Sequence, residues 1–137
     1  MQHGAQKVVK TAGKARIIIV ETTSDVTKDN SNDIIVTGSH QGENSGEYLL
    51  DCSVKGAIGN DAGKGKENAG FAGLKLLDQK GIPGAAVNTM TARIGDGNST
   101  YEQGKISAVN ESARKLGITE GMSAKDAADK MLRALAG

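Results

Sequence analysis

The chain has 137 residues, with 17 basic and 16 acidic side chains and a formal net charge of +1. This length suits one domain, and so balanced a charge gives no electrostatic reason to expect binding to nucleic acid or to an anionic membrane surface. Aromatic residues make up only 2% of the chain, which argues against stacking of nucleic-acid bases.

The cysteine content and the hydropathy pattern predict a cytoplasmic protein. Cys52 is the single cysteine, so no disulfide can form within the chain, a pattern typical of reducing compartments. No apolar run reaches the roughly 18 residues of a membrane span. The polar residues at the N terminus lack the apolar core of a signal peptide. We therefore expect a cytoplasmic location and no membrane partner.

Apolar runs predict the strands. Residues 15–20 form a continuous β-branched run that is typical of a strand buried on both faces. Further strands are predicted at 34–37, 57–59 and 82–87. Residues 1–14 are a loose arm or an edge strand. The connection at 22–31 is short for a helical crossover, so the first two strands are antiparallel, or their connection holds a single helical turn.

Helices are predicted between and after these strands, at 47–55, 68–80, 100–116 and from Ser123 onward. Gly81 is well placed to end the second helix, and Asp126 with Ser123 resembles a capping box at the start of the last. That last helix is rich in alanine and has a broad apolar face. The face must pack on the domain or on another subunit, and the second possibility suggests a homo-oligomer.

The alternation of strand, loop and helix from residue 33 onward predicts parallel strands. We predict a single α/β domain over residues 1–137, a Rossmann-like three-layer sandwich with a mostly parallel sheet of about 4–5 strands. Such sheets bind ligands beyond the carboxyl ends of their strands. Three loops rich in glycine and polar residues should therefore lie together on that edge.

The loop of residues 61–68 offers main-chain N–H groups near a helix start, with Lys64 beside them. This pattern suits a phosphate or a carboxylate. It matches neither a Walker A loop nor a complete dinucleotide fingerprint. Asn60 and Asp61, at the strand end, would position polar groups of a ligand. The alternative is a solvent loop with ordinary surface lysines.

Ser39 and His40 follow the strand at 34–37. A histidine at a strand end could act as a general acid or base, because its pKa lies near working pH. Ser39 is a predicted substrate contact and not a nucleophile paired with His40, because adjacent side chains on extended backbone point to opposite sides. The alternative is a histidine that caps the next helix or makes a subunit contact.

Asn88, Arg93 and Asp96 belong to the third loop. Arg93 could clamp a carboxylate or phosphate bidentately, and Asn88 could position the ligand. Asp96 could orient His40 or bind a substrate hydroxyl. The alternative is a structural turn over 96–99, with Ser99 or Thr100 as the N-cap of the next helix.

Residues 18–21 with Asp25, followed by Asp61-Ala-Gly63 at a comparable separation, resemble the topoisomerase–primase (toprim) domain. The resemblance covers residues 17–77 and implies a paired acidic magnesium site. Gly59 stands where the first aspartate of that pair would fall, and Thr22 stands where the family favours glycine. A degenerate toprim-like domain is therefore an outside alternative.

These residues together predict a small enzyme that uses proton transfer, of the isomerase, lyase or hydrolase type, on a small anionic metabolite. The predicted catalytic residues are His40, Asp61 and Asp96. The predicted substrate-binding residues are Ser39, Asn60, Lys64, Asn88 and Arg93. No metal site or cofactor is predicted, although a magnesium ion held by a substrate phosphate stays open. The alternative is a non-catalytic metabolite-binding module of a homo-oligomer.

Overall fold

The computed structural model describes residues 6–40, 43–61, 63 and 72–136. Within these residues the chain is an α/β protein with a six-stranded sheet, in which each strand lies beside the strand that precedes it in the chain. The strands are β1 (Lys7–Ala12), β2 (Ala15–Val20), β3 (Ile34–His40), β4 (Gly56–Asn60), β5 (Gly84–Val87) and β6 (Ile106–Val109).

Five α-helices accompany the sheet in the described part of the chain. They are α1 (Glu43–Cys52), α2 (Ala72–Gln79), α3 (Gly97–Gln103), α4 (Glu111–Arg114) and α5 (Ala124–Ala136). None of these helices has both the length and the apolar character needed to cross a membrane.

The four inner strands, β2 to β5, are parallel, and the two edge strands pair antiparallel. The connection from β2 to β3 holds two short 3-10 turns, Thr23–Asp25 and Lys28–Asn30, and no α-helix. Between these turns Val26 is fully buried against the sheet. Of the two arrangements left open by the sequence, the parallel pair with a short connection is therefore the observed one.

Both faces of the sheet are covered, and β2 shows how one strand serves both. Its residues alternate, with Ile17 and Ile19 in one apolar cluster and Ile18 and Val20 in the other. The prediction that this strand is buried on both faces is confirmed. The face of Ile17 packs against α5, and the face of Ile18 packs against α1 and α2.

Helix α5 packs on its own domain. The side chains that fill the cluster on the Ile17 face are Ala124, Ala127, Ala128, Met131 and Leu132, all at most 1% exposed. The hydroxyl of Ser123 accepts a hydrogen bond from the Asp126 N–H at 3.1 Å, which is one of the two hydrogen bonds of the predicted capping box. The apolar face is thus covered within the chain. A homo-oligomer stays a prediction, but the apolar face of α5 no longer supports it.

The prediction of one helix over residues 100–116 is wrong. The segment contains the end of α3, the whole of β6 and the short α4. A Cβ atom at Gly104 would lie 2.6 Å from Cγ1 of Val87, so the chain turns here where only glycine fits. Beyond the turn, Ile106 and Ala108 are buried and Ser107 and Val109 are half-buried, which is the period of a strand.

Candidate functional site

The carboxyl ends of the parallel strands bring most of the predicted site residues to one edge. Strand β3 ends at Ser39 and His40, β4 ends at Asn60, and Asn88 follows β5. His40 lies opposite Asn60 in the register of the β3–β4 pair. Lys64 and the rest of residues 64–71 lie outside the described residues, so the predicted anion loop has no structural description here.

The chain leaves β4 and β5 towards opposite faces of the sheet. After β4 it enters α2, whose Leu77 packs with Leu49 of α1 on one face. After β5 it enters α3, which contacts α5 and places Tyr101 against the cluster of the other face. Such a divergence of neighbouring connections is where open α/β sheets form a ligand crevice. Asp61 and Asn88 are the first residues of the two diverging connections.

The carboxylate of Asp61 lies at the start of one of these connections and is 1% exposed. Its Oδ1 accepts hydrogen bonds from the N–H of Gly63 at 2.8 Å and of Thr89 at 3.0 Å. Its Oδ2 accepts one from the Ser107 hydroxyl at 2.7 Å. Asp61 therefore ties together the two diverging segments and β6. Its catalytic role stays a prediction.

Asn60 and Asn88 shape the loop that follows β5. Asn60 is fully buried, and its Nδ2 donates to the Ala92 carbonyl at 3.3 Å. The side-chain oxygen of Asn88 accepts from the N–H of Met90 at 2.8 Å, and its main-chain carbonyl accepts from the Thr91 hydroxyl at 2.6 Å. Both amides thus hold main chain in place, and their contact with a ligand stays a prediction.

Ser39 and His40 have different environments although they are neighbours. The Ser39 hydroxyl oxygen accepts from the Thr23 N–H at 2.9 Å and so holds the first 3-10 turn against β3. His40 is exposed, and its main-chain carbonyl accepts from the Ser45 hydroxyl at 2.9 Å. None of the described residues forms a hydrogen bond with the His40 imidazole.

The loop after β5 crosses the end of β3 at very short range. The N–H of Gly95 donates to the Gly38 carbonyl at 2.7 Å, and a Cβ atom at Gly38 would lie only 2.2 Å from the Asp96 nitrogen. Asp96 then caps α3, because its Oδ1 accepts from the Ser99 N–H at 3.0 Å. The predicted N-cap at Ser99 or Thr100 is therefore wrong. Asp96 has a structural contact, and its catalytic role stays a prediction.

A cleft of about 710 Å³ lies between this loop and α3. Its walls are formed by Thr89, Met90, Thr91, Ala92, Arg93, Asp96, Asn98, Ser99, Glu102 and Gln103. Of the predicted site residues, the cleft gathers Arg93 and Asp96. The other described ones lie on the same edge outside its walls.

Arg93 is the cation of this cleft. Its side chain is exposed, and no carboxylate of the described residues forms an ion pair with it. Glu102, across the cleft, already pairs with Lys125 at 2.6 Å, and hydrogen bonding to Glu102 raises the pKa of Lys125. Binding of an anion by the Arg93 guanidinium stays a prediction.

The polar side chains of α3 in this cleft were not predicted. Glu102 and Gln103 were missed because the wrong helix boundaries placed them away from the sheet edge. Asn98 was assigned to the third loop but not to a ligand role. Gly104 was the available signal, since a glycine there ends α3 and returns the chain to the sheet. Among the described residues, no group of three or more histidine, cysteine or acidic side chains could hold a metal ion.

Comparison of the chain with protein-family models, with curated proteins and with solved structures finds no match in any of the three. The resemblance to the toprim domain therefore stays a prediction. Asp61, one of the residues that carry it, has both carboxylate oxygens engaged in hydrogen bonds.

Proposed function

We propose that this chain is a Rossmann-like three-layer α/β domain that binds a small anionic metabolite in the cleft beside Arg93. The observation that carries the proposal is an exposed guanidinium without an ion-pair partner among the described residues, in the wall of a cleft of about 710 Å³. A guanidinium holds a carboxylate or a phosphate through two parallel hydrogen bonds. The volume lies within the range of about 300–1,000 Å³ that is typical of small-molecule sites.

The remaining polar groups of the cleft suit a ligand with further hydrogen-bonding groups. Asn98 and Gln103 supply amides, and Thr89 supplies a hydroxyl. The Glu102 carboxylate is paired with Lys125, so less of its charge opposes an anion at Arg93. With its single cysteine the chain cannot form an internal disulfide, which supports a reducing compartment and therefore a cytoplasmic metabolite.

Catalysis by proton transfer is the second candidate. The exposed His40 favours it, since its imidazole forms no hydrogen bond with any described residue. Asp61 and Asp96 accept hydrogen bonds from main-chain N–H groups, so acid–base chemistry would depend on His40. The substrate would have to extend from Arg93 to the end of β3. A non-catalytic module, alone or in a homo-oligomer, would use the Arg93 cleft without His40.

Ligand binding is tested by a thermal-shift screen against phosphorylated and carboxylated metabolites. A ligand at 100 times its dissociation constant should add about 2.7 kcal/mol of stability to the wild-type protein. Arg93→Gln should weaken binding about tenfold to a hundredfold, because charge-assisted hydrogen bonds contribute about 1.5–3 kcal/mol. Arg114→Gln is the matched control, since Arg114 is an exposed arginine on α4, outside the cleft. Full binding by Arg93→Gln, or no stabilising compound, would contradict the proposal.

Catalysis is tested with His40→Ala once a ligand is known. An enzyme of the proposed kind should lose its turnover while keeping its affinity, because the imidazole acts only on the proton in transfer. The readouts are the turnover number and the dissociation constant of the same ligand. Wild-type turnover in His40→Ala would exclude the acid–base role and leave the binding module.

A further inference from the structure

The opposite edge of the sheet, at the amino ends of the parallel strands, carries three adjoining grooves. Their volumes are about 460, 300 and 350 Å³. Lys55 lines all three, Lys80 lines two of them, and Leu135 at the end of α5 lines two. Because they share walls, they form one extended depression, which we call the lysine groove.

The lysine groove has an unbalanced positive charge. Lys14, Lys55 and Lys80 are exposed, and none of them forms an ion pair with a described residue. No aspartate or glutamate stands among the residues that line the three grooves. Three such lysines on one edge are a marked local excess, since the whole chain has a net charge of only +1.

Two of the carboxylates near this edge already have partners. Asp33, at the start of β3, is buried and pairs with Arg16 at 2.7 Å. Asp78, at the end of α2, accepts hydrogen bonds from the N–H and the hydroxyl of Ser112, both at 2.8 Å. Neither carboxylate forms an ion pair with the lysines of the groove.

The floor of the lysine groove is apolar. Leu135 is 43% exposed, which is unusual on a helix whose other large apolar side chains are buried in the core. Ile82 and Leu116 are half-buried beside it, and Met131 closes the base. An apolar centre with a charged rim is the usual composition of a protein–protein contact.

We propose that the lysine groove is a docking site for a polypeptide segment of another protein in which acidic and apolar side chains alternate. The lysines complement the acidic side chains, and the apolar floor receives the others. An extended concave surface suits a chain segment better than a single small ion or a flat lipid surface. The proposal is independent of the Arg93 cleft, which lies at the other edge of the sheet.

The test is a selection of short random peptides displayed on phage against the wild-type protein. Enriched sequences should combine Asp or Glu with Leu, Ile or Val. A labelled synthetic copy should bind in fluorescence anisotropy, and its affinity should fall as salt is raised, because exposed charge pairs are screened. The double variant Lys55→Glu/Lys80→Glu should weaken binding by about tenfold or more, since two exposed charge pairs are lost and reversed.

The matched control is Lys7→Glu/Lys75→Glu, which makes the same charge change at two exposed positions outside the groove and should bind like the wild type. Leu135→Ser should also weaken binding, and circular dichroism checks that each variant is folded. Failure to enrich any peptide, or equal binding by Lys55→Glu/Lys80→Glu, overturns the proposal. Binding to phosphatidylserine vesicles, but to no peptide, with the same dependence on Lys55 and Lys80 would replace it with a membrane contact.

Discussion

Asp61 lies where the segments leaving β4 and β5 separate, and its carboxylate accepts hydrogen bonds from both. The sequence could locate this residue at a strand end, because a buried apolar run stops there. It could not supply the partners, since Thr89 and Ser107 follow Asp61 by 28 and 46 residues. The sequence could likewise place Arg93 in the loop after β5. It could not predict the cleft, because the cleft depends on the position of α3 relative to that loop.

Asp61→Asn tests the contribution of this carboxylate to stability. An amide keeps the shape of the side chain but loses the charge and one acceptor oxygen. The variant should be less stable by about 1–3 kcal/mol, because the part-buried donors on the two segments lose a charge-assisted acceptor. Urea unfolding followed by circular dichroism measures the change.

Asp96→Asn is the control for the same chemical change. Asparagine and aspartate are about equally good N-caps, so the stability of this variant should stay within about 0.5 kcal/mol of the wild type. If Asp61→Asn were equally mild, the hydrogen bonds of Asp61 would not be what holds the two segments together.

Helices α1 and α2 show what the contact between two elements requires. A Cβ atom at Gly46 would lie 2.7 Å from the Cα of Gly73, so the two backbones touch where neither residue has a side chain. The helical pattern of α2 was predictable from its leucine spacing. The close approach was not, because a glycine inside a helical pattern only weakens the helix prediction.

Gly46→Ala tests this contact. Alanine favours the helix by about 0.5–1 kcal/mol, whereas an added methyl group in a filled contact costs about 1–3 kcal/mol. The second effect is larger because the neighbouring atoms belong to backbone, so the variant should be less stable in urea unfolding. Asn44→Ala, at an exposed position of α1, is the control and should change stability by less than about 0.5 kcal/mol. A stabilised Gly46→Ala would show that the helices can move apart.

The strength of the local pattern also decided which elements were predictable. The β-branched run of β2 and the capped start of α5 were found from the sequence. The short edge strand β6 was taken for helix, because the spacing of Ile106, Val109 and Ala113 also fits a helical stripe. Two adjoining short elements can imitate one long element when only apolar spacing is read.

Across the whole molecule, two carboxylates connect elements that are distant in the chain. Asp78 joins α2 to α4 through Ser112, and Asp129 on α5 pairs with Lys10 on β1. Hydrogen bonds from Ser112 lower the pKa of Asp78, and hydrogen bonds from Lys10 and Arg133 lower the pKa of Asp129. Both groups lie at element contacts, so their titration affects the stability of the fold.

The sign of the pH dependence follows from these lowered pKa values. The ordinary pKa of the unfolded groups is 3.8, so their stabilising contribution is complete above that pH and is lost as the pH falls through the lower folded values. Stability should therefore decrease with acidification below about pH 4. In urea unfolding at several pH values, Asp78→Asn/Asp129→Asn should flatten this decrease, and Ser112→Ala should flatten it in part. An unchanged slope in both variants would contradict the assignment.

The α/β class and the edge that carries the candidate site were predictable because both depend only on the alternation of elements and on strand direction. The six strands exceed the predicted number of about 4–5, because the exposed β1 and the short β6 have weak patterns. The Arg93 cleft itself was not predictable. It exists because the Gly38 and Gly95 backbones meet and direct α3 across the strand ends.

The strand order of the sheet has a consequence for biosynthesis. Since each strand pairs with the one made just before it, the sheet can grow at one edge while the ribosome is still adding residues, and no strand has to be inserted between two others. Helix α5 follows all six strands in the chain, yet it covers the face that carries Ile17, Ile34 and Ile58. That apolar face is therefore not covered by α5 until α5 itself has been synthesised. During this interval the nascent chain most needs a chaperone.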